Sequence, residues 1–180
     1  SMITSCLIFL ASFSNGDGIP SINNINQIRT CIDKVPYSMV VHLPHYVEHF
    51  DKENLYTAVR IGWCESRGKG NAYRSEDDDS GVMQFIPSTW NWIAEKNDLP
   101  AWDEWVILHH GQPYEGPLLG VDERFLQAKK VQYVPYYNIK MASHLAEDTY
   151  SKVTFKDWNS SKWCWGNPSY YEKRWRDEGF

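Results

Sequence analysis

The stretch from residue 58 to residue 90 constrains this chain more than any other part of it. An apolar, helix-compatible run ends at Cys64-Glu65-Ser66, a polar and acidic loop follows, and Pro87 then opens a second helix. A carboxylate at the end of a mostly apolar helix is poorly solvated, so it holds its proton more tightly. A glutamic acid with a raised pKa can act as a general acid near neutral pH. The stretch therefore predicts that Glu65 is a proton donor.

The spacing of apolar residues elsewhere predicts one mainly helical domain over residues 1–180. Helices are expected from Ser21 to Pro36, over about 52–64, from Pro87 to about Lys96, and from Tyr136 to Tyr150. Residues 1–45 are expected to form an N-terminal extension packed on this domain. The segment 98–120, rich in Pro, Gly and Trp, predicts an irregular insertion that could serve as a lid or a groove wall.

The four cysteines, at positions 6, 31, 64 and 164, are far apart and form no C-x-x-C motif. This spacing argues against a zinc knuckle or a thioredoxin-like site and favours two disulfides in an oxidising compartment, with three pairings possible. Free buried thiols are the alternative. The apolar residues 2–13 are too short to span a bilayer and lack the basic start of a signal sequence. We expect them to pack on the domain, with Cys6 bonded to Cys31.

The composition narrows the range of partners. A net charge of −5 argues against nucleic acid, because phosphate binding requires a basic surface. Aromatic residues make up 15% of the chain, including nine Trp, so some are expected outside the core. Such residues favour a groove that stacks against flat ligands, and sugar rings are one class of these. We expect a monomer without a membrane partner.

Several short motifs follow Glu65 in a fixed order. Glu65-Ser66 is followed by Asn71, by Ser80-Gly81-Val82-Met83-Gln84, and by Pro87-Ser88-Thr89-Trp90. Tyr137-Asn138-Ile139 then precedes an amphipathic helix. Together these motifs resemble the lytic transglycosylase and goose-type lysozyme family over roughly residues 50–170. The first forty residues and the segment 98–120 have no counterpart in that family.

The resemblance implies an α+β, lysozyme-like fold with a substrate cleft. It also implies cleavage of the β-1,4 bond between N-acetylmuramic acid and N-acetylglucosamine in bacterial peptidoglycan, without a cofactor. Glu65 would protonate the glycosidic oxygen. Substrate contacts are implied for Ser75, Ser80, Met83 and Gln84, although a Val-Met-Gln run without the motif is most often core.

The acidic run Asp77-Asp78-Asp79 bears on the reaction subclass. Inverting hydrolysis needs a second carboxylate that activates water, and goose-type enzymes carry Asp residues in this region. Asp78 and Asp79 are therefore the candidates for that role. Lytic transglycosylases do without a second carboxylate, because the sugar's own 6-hydroxyl closes an anhydro ring. A solvated acidic loop without a catalytic role is the third alternative.

The C-terminal part departs from the transglycosylase pattern. Where that family has Ala-Tyr-Asn, this chain has Cys164-Trp165-Gly166-Asn167, so Trp165 would take the place of the Tyr at the groove without its hydroxyl. Tyr170 and Tyr171 are possible substitutes. A Cys just before the Glu, together with a Cys in a Trp-rich C-terminal segment, resembles resuscitation-promoting factors and implies a Cys64–Cys164 disulfide. Cys64 as a nucleophile is the alternative, but no motif supplies a partner His.

Two groups of histidines are candidate metal ligands. One group is His42, His45 and His49, and the other is His109 and His110. No H-E-x-x-H pattern accompanies them, so surface or core histidines are favoured and no metal is expected. The leading hypothesis is a secreted, periplasmic or phage-borne muramidase of the endolysin type. The alternatives are a lytic transglycosylase and a catalytically dead wall-binding module.

Overall fold

Helix α5, Lys52–Ser66, contacts α1, α3, α4 and α8 in a computed structural model that describes residues 1–14, 22–147 and 152–179. Its apolar residues Leu55, Val59 and Trp63 are buried, as their helical spacing predicted. The helix ends where Arg67 and Gly68 take positive φ angles of 57° and 78°. A side chain at Gly68 would also meet the backbone of Ser38, so glycine is required there.

The other helices surround α5. They are α1 Met2–Ser14, α2 Ile22–Ile32, α3 Tyr37–Val40, α4 Leu43–His49, α6 Pro87–Asn97, α7 Pro135–Glu147, α8 Lys162–Trp165 and α9 Pro168–Glu178. Short 3₁₀ helices cover Glu123–Phe125, Val131–Tyr133 and Lys156–Ser161. The helices predicted from Pro87 and from Tyr136 correspond to α6 and α7. The predicted helix start at Ser21 and the predicted helix end at Tyr150 lie outside the described residues.

The N-terminal helix α1 packs against α2, α4 and α5. Leu7 and Leu10 are buried in these contacts, and the predicted disulfide between Cys6 and Cys31 is present. The apolar face predicted for α2 is only partly buried, because Ile25 is 41% exposed. Helix α2 contacts the core through the disulfide-bonded Cys31, which is buried, and through the partly buried Ile28.

Two small antiparallel sheets complete the fold. Strands β1, Tyr73–Arg74, and β2, Asp79–Ser80, form a hairpin. Strands β3, Trp105–His109, β4, Gln112–Pro113, and β5, Leu126–Lys130, form a second sheet in the order β4-β3-β5. The described ranges thus have the predicted α+β class with a large helical part.

The second sheet corrects one expectation from the sequence. Residues 98–120 were expected to be irregular, but they contain the β3–β4 hairpin. His110 and Gly111, at its turn, have φ angles of 50° and 77°, which suit a tight hairpin turn. The apolar run Val106-Ile107-Leu108 before them is typical of a strand. The Pro and Gly residues around this run concealed that signal.

The C-terminal elements are attached to α5 covalently. A second disulfide joins Cys64 on α5 to Cys164 on α8, as the resemblance to resuscitation-promoting factors implied. The 3₁₀ helix Lys156–Ser161 also contacts α5. No helix in the described ranges is long and apolar enough to cross a membrane.

Candidate active site

Glu65 is the penultimate residue of α5, and its carboxylate faces the C-terminal part of the chain. The hydroxyl of Ser161 donates a hydrogen bond of 2.5 Å to Oε1 of Glu65. Ser161 ends the 3₁₀ helix that precedes α8, and Cys164 of α8 is bonded to the residue before Glu65. The disulfide and the hydrogen bond therefore join the same two segments.

The surroundings of Glu65 raise its pKa. Burial is the largest cause, because it penalises the charged carboxylate, and the negative charge of Asp79 acts in the same direction. The Ser161 hydroxyl, Arg74 and Arg67 oppose the rise. The net direction is the one that the sequence predicted for a proton donor at the end of an apolar helix.

The β1–β2 hairpin brings an ion pair to the same place. Arg74 and Asp79 are directly opposite in the register, and their side chains form a salt bridge. The Asp79 side chain is only 7% exposed, whereas that of Arg74 is 54% exposed. Because side chains alternate along strands, Tyr73 and Ser80 project to the opposite side of this hairpin.

Asn138, on α7, holds the segment that follows the hairpin. Its Nδ2 donates to the carbonyl oxygens of Ser80 and Gln132 at 3.1 and 3.0 Å, and its Oδ1 accepts from the Met83 N–H at 2.7 Å. A Cβ on Gly81, which has a φ of 81°, would lie 2.2 Å from Asn138 Nδ2. This close approach fixes the backbone from Ser80 to Met83 against α7.

These elements enclose a pocket of about 180 Å³. It is lined by Glu65, Arg74, Asp79, Met83, Gln84, Phe85, Ile86, Thr89, Leu145, Asp157, Trp158 and Ser160. A pocket of this size holds part of a ligand, since sites that enclose a whole drug-sized molecule are roughly 300–1,000 Å³. Glu65, Asp79 and Asp157 give it three carboxyl groups.

Four of the predicted site residues meet at this pocket, and they are Glu65, Asp79, Met83 and Gln84. Met83 is buried, with its sulfur accepting from the Tyr46 hydroxyl at 3.2 Å. Gln84 has a φ of 52°, and its amide Nε2 donates to the Gly81 carbonyl at 2.9 Å. Both side chains are thus fixed by the local fold.

Five predicted site residues do not line the pocket, and they are Ser75, Asp78, Ser80, Trp165 and Tyr170. Ser75 and Asp78 are exposed in the hairpin loop, where Asp78 accepts from the Tyr73 hydroxyl at 2.6 Å. Ser80 is fully buried on the side of the hairpin away from Arg74. Ser80 is directed away from the pocket because side chains alternate along β2, whereas Ser75 and Asp78 lie in the loop between the two strands.

The two C-terminal candidates are displaced for different reasons. Trp165 is buried, and its indole Nε1 donates to the Trp158 carbonyl at 3.0 Å. Tyr170 is exposed on the first turn of α9, where Arg174 donates to its hydroxyl at 3.4 Å. A Trp-rich segment does not distinguish core from groove, so the sequence favoured the groove for a residue that belongs to the core.

Three residues at the site were missed by the sequence interpretation. Ser161 contacts Glu65, Arg74 pairs with Asp79, and Asp157 lines the pocket. Arg74 could have been found from a hairpin prediction, because it is five residues before Asp79 and faces it. Ser161 and Asp157 belong to no motif, so no signal in the sequence marked them.

The histidines of α4 lie away from this pocket. His45 and His49 both contact the ring of Tyr136 edge to face, with centroids 5.7 and 5.3 Å away. Burial lowers the pKa of each to about 4. Within residues 1–14, 22–147 and 152–179, no group of three or more His, Cys, Asp or Glu could hold a metal ion.

The pocket combines a carboxyl group with a raised pKa, a carboxylate paired with an arginine, and hydrogen-bonding groups. Glu65 can release a proton, and Asp79 can stabilise positive charge that develops beside it. Comparisons of the chain with protein-family models, with curated proteins and with solved structures found no match. The chemistry of this pocket is therefore the basis for assigning a function.

Proposed function

We propose that this protein is a peptidoglycan-degrading glycosidase with a lysozyme-like fold, and that the Glu65 pocket is part of its substrate cleft. One observation carries the proposal. The Glu65 carboxyl, with a raised pKa, lies in one pocket with the Arg74–Asp79 pair and with Gln84. Most glycosidases use two carboxyl groups in different electrostatic environments as their catalytic groups.

The reaction follows from these two environments. Protonated Glu65 gives its proton to the oxygen of the β-1,4 bond between N-acetylmuramic acid and N-acetylglucosamine. As the bond between that oxygen and the anomeric carbon breaks, positive charge develops on the sugar ring. The Asp79 carboxylate, held in place by its salt bridge with Arg74, stabilises that charge.

Water completes the reaction in a hydrolase. It forms a bond to the anomeric carbon and passes a proton to a carboxylate of the pocket, and proton exchange with solvent then returns Glu65 to its acid form. Asp79 and the exposed Asp157 are the carboxylates of the pocket that can accept this proton. Asp78 is not a candidate in this scheme, because it is directed to the hairpin loop.

The disulfides favour a place of action outside the reducing cytosol. Cys6–Cys31 and Cys64–Cys164 account for all four cysteines, and disulfides persist in oxidising compartments. A secreted, periplasmic or phage-borne protein would meet peptidoglycan there. Its net charge of −5 gives no attraction to an anionic wall, so binding would depend on shape and hydrogen bonds.

Turbidity of purified cell walls tests the proposal. We expect Glu65→Gln to reduce the lysis rate by about 10²- to 10⁴-fold, the usual contribution of a general acid. Glu95→Gln is the matched control, because Glu95 is exposed on α6 and does not line the pocket. Unchanged lysis by a folded Glu65→Gln variant would contradict the assignment.

Lytic transglycosylase activity is the second candidate. It is favoured by the Arg74–Asp79 salt bridge, because the Arg74 guanidinium occupies Oδ2 of the carboxylate that a hydrolase would use to bind the attacking water. Mass spectrometry of digested walls separates the two reactions, since hydrolysis adds water to the product and 1,6-anhydro ring closure does not. If the products are predominantly 1,6-anhydro sugars, the protein is a lytic transglycosylase and the assignment as a hydrolase is wrong.

A catalytically dead wall-binding module is the remaining alternative. It predicts that the wild-type protein sediments with cell walls but releases no soluble fragments. It also predicts that Glu65→Gln binds walls as tightly as the wild type. A sedimentation assay run beside the turbidity assay measures both properties.

A further inference from the structure

The Ser161 hydroxyl has a single hydrogen and three polar neighbours. Its oxygen lies 2.5 Å from Oε1 of Glu65 and 3.1 Å from the carbonyl oxygen of Trp158. The indole Nε1 of Trp165 is also 3.1 Å from it and can only donate. Ser161 therefore accepts from Trp165 and has one hydrogen for two possible acceptors.

The protonation state of Glu65 decides which acceptor receives that hydrogen. When Glu65 is ionised, its carboxylate is the stronger acceptor, and Ser161 donates to it. When Glu65 is protonated, its own O–H can donate to Ser161, whose hydrogen then rotates to the Trp158 carbonyl. When Glu65 is ionised, the Trp158 carbonyl still has a hydrogen-bond donor, because it also accepts from Trp165 Nε1 at 3.0 Å.

We propose that Ser161 is the positioning residue of Glu65, holding the carboxyl group in one place both before and after it gives up its proton. The importance of this for catalysis rests on the proposed function, whereas the coupling of the two side chains does not. In each state the Ser161 hydroxyl donates its hydrogen and accepts from Trp165, so this buried hydroxyl stays satisfied whether or not Glu65 carries a proton. The proton donor thus keeps its orientation through the reaction.

None of the charged side chains near Glu65 can hold its carboxyl group in this way. Arg67, at the end of α5, donates to the carbonyls of Trp63 and Cys64 and to Glu178. Arg74 is paired with Asp79 across the hairpin, and Asp157 faces the pocket from the 3₁₀ helix. Within the described part of the chain, Ser161 makes the one hydrogen bond to the Glu65 carboxyl.

The test measures the titration of Glu65 directly. Carbon NMR of the labelled carboxyl group is recorded against pH for the wild type and for Ser161→Ala, Ser161→Thr and Ser143→Ala. Ser161→Ala removes a donor to the ionised form, so we expect the pKa of Glu65 to rise. Ser161→Thr keeps the hydroxyl and should return the pKa toward the wild-type value.

Ser143→Ala is the matched control. Ser143 is buried on α7, and its hydroxyl donates to the Lys140 carbonyl at 2.8 Å without lining the pocket. We expect its loss to leave the titration of Glu65 unchanged. Ser161→Ala should remain folded, because Trp165 keeps its hydrogen bond to Trp158.

Activity gives the second readout. A general acid must be protonated, so lysis falls as pH rises through the pKa of Glu65. We expect Ser161→Ala to move this fall to higher pH and to lower kcat about tenfold, since misplaced catalytic groups cost up to roughly 10²-fold. A lower kcat with an unchanged pKa of Glu65 would overturn the proposal.

The two proposals can fail separately. Suppose that the pKa of Glu65 rises in Ser161→Ala but neither the wild type nor any variant cleaves cell walls. The coupling between Ser161 and Glu65 then stands, and the glycosidase assignment is wrong. If wall cleavage depends on Glu65 but its pKa is insensitive to Ser161, the glycosidase assignment stands and the coupling is overturned.

Discussion

Cys64, the residue directly before Glu65, is bonded to Cys164, three residues beyond Ser161. The acid and the hydroxyl that contacts it are 96 residues apart in the chain, and the disulfide anchors both segments. The disulfide therefore aligns Glu65 with Ser161 and also stabilises the fold. The Cys6–Cys31 disulfide, which joins α1 to α2, offers a comparison far from the pocket.

Removal of the two disulfides should have different consequences. We expect Cys64→Ser/Cys164→Ser to lower the free energy of unfolding by about 4–5 kcal/mol, because the bond closes a loop of 100 residues. The same chain-entropy argument gives about 3.5 kcal/mol for Cys6→Ser/Cys31→Ser, with a loop of 25 residues. Denaturant unfolding of both double variants measures these losses.

Activity distinguishes the two disulfides further. At a temperature where each double variant is folded, wall lysis should fall for Cys64→Ser/Cys164→Ser and stay near wild type for Cys6→Ser/Cys31→Ser. Equal activities per folded molecule would mean that the bond beside Glu65 stabilises the fold without aligning the site.

Glu65 should destabilise the protein at neutral pH. Its folded-state pKa is raised above the ordinary value of about 4.5, so its contribution to stability is complete below that value and is lost as pH rises through the folded pKa. Gln at this position does not ionise. We therefore expect Glu65→Gln to raise Tm at pH 8 by a few degrees, since 1 kcal/mol corresponds to roughly 2–4 °C at this size.

Calorimetry at several pH values checks this expectation. The difference in Tm between Glu65→Gln and the wild type should grow with pH and disappear in acid. A variant that is less stable than the wild type at pH 8 would show that the ionised carboxylate is favourably solvated in the pocket.

Asp78 and Asp79, adjacent in sequence, should behave differently when each is changed to Asn. Asp79 lines the pocket and raises the pKa of Glu65, whereas Asp78 is exposed. We expect Asp79→Asn to reduce kcat by about 10²-fold, as loss of electrostatic stabilisation typically does. In the pH–rate profile of Asp79→Asn, the fall in activity at alkaline pH should move to lower pH. The reason is that loss of the Asp79 charge lets Glu65 ionise more easily.

Asp78→Asn is the control for that experiment. It removes a carboxylate from the neighbouring position without changing the pocket lining, so pH-rate profiles of the two variants should differ in both height and position. Equal losses of activity would assign the effect to the hairpin loop as a whole.

The α4 histidines should make the fold sensitive to acid. Burial lowers the pKa of His45 and His49 from 6.5 to about 4. The stability that these neutral side chains contribute is present above about pH 6.5 and is lost as pH falls toward 4. We expect His45→Phe, which keeps an aromatic contact with Tyr136, to flatten this loss by up to about 1.4 kcal/mol per pH unit.

Urea unfolding between about pH 7 and pH 4 measures that slope. His110→Gln provides the control, because His110 is exposed at the β3–β4 turn and stacks on Phe125. An identical acid slope in the wild type and His45→Phe would show that His45 protonates without opening the α4–α7 contact.

The parts of the fold predicted from sequence are those with a local physical cause. The spacing of Leu55, Val59 and Trp63 indicates which face of α5 is buried, and Gly68 marks where that helix ends. Pro87 at the first turn marks the start of α6 in the same way. In contrast, the β3–β4 hairpin was hidden by prolines and glycines close to a short apolar strand.

The candidate site was only partly predictable for a different reason. Glu65, Met83 and Gln84 meet at the pocket because they belong to one continuous stretch. Ser161 reaches it only when the chain folds back across 96 residues, and a single Ser carries no pattern of its own. Trp165 was assigned to the groove, although its indole N–H is satisfied inside the core by the Trp158 carbonyl.

The disulfide between Cys64 and Cys164 also changes what a protease can do to this chain. A single cut anywhere between the two cysteines leaves both fragments covalently joined. The bond from Leu118 to Leu119 is well placed for such a cut, since these side chains are 56% and 96% exposed. A molecule nicked there would migrate as one species on a gel and separate into two only after a reductant is added.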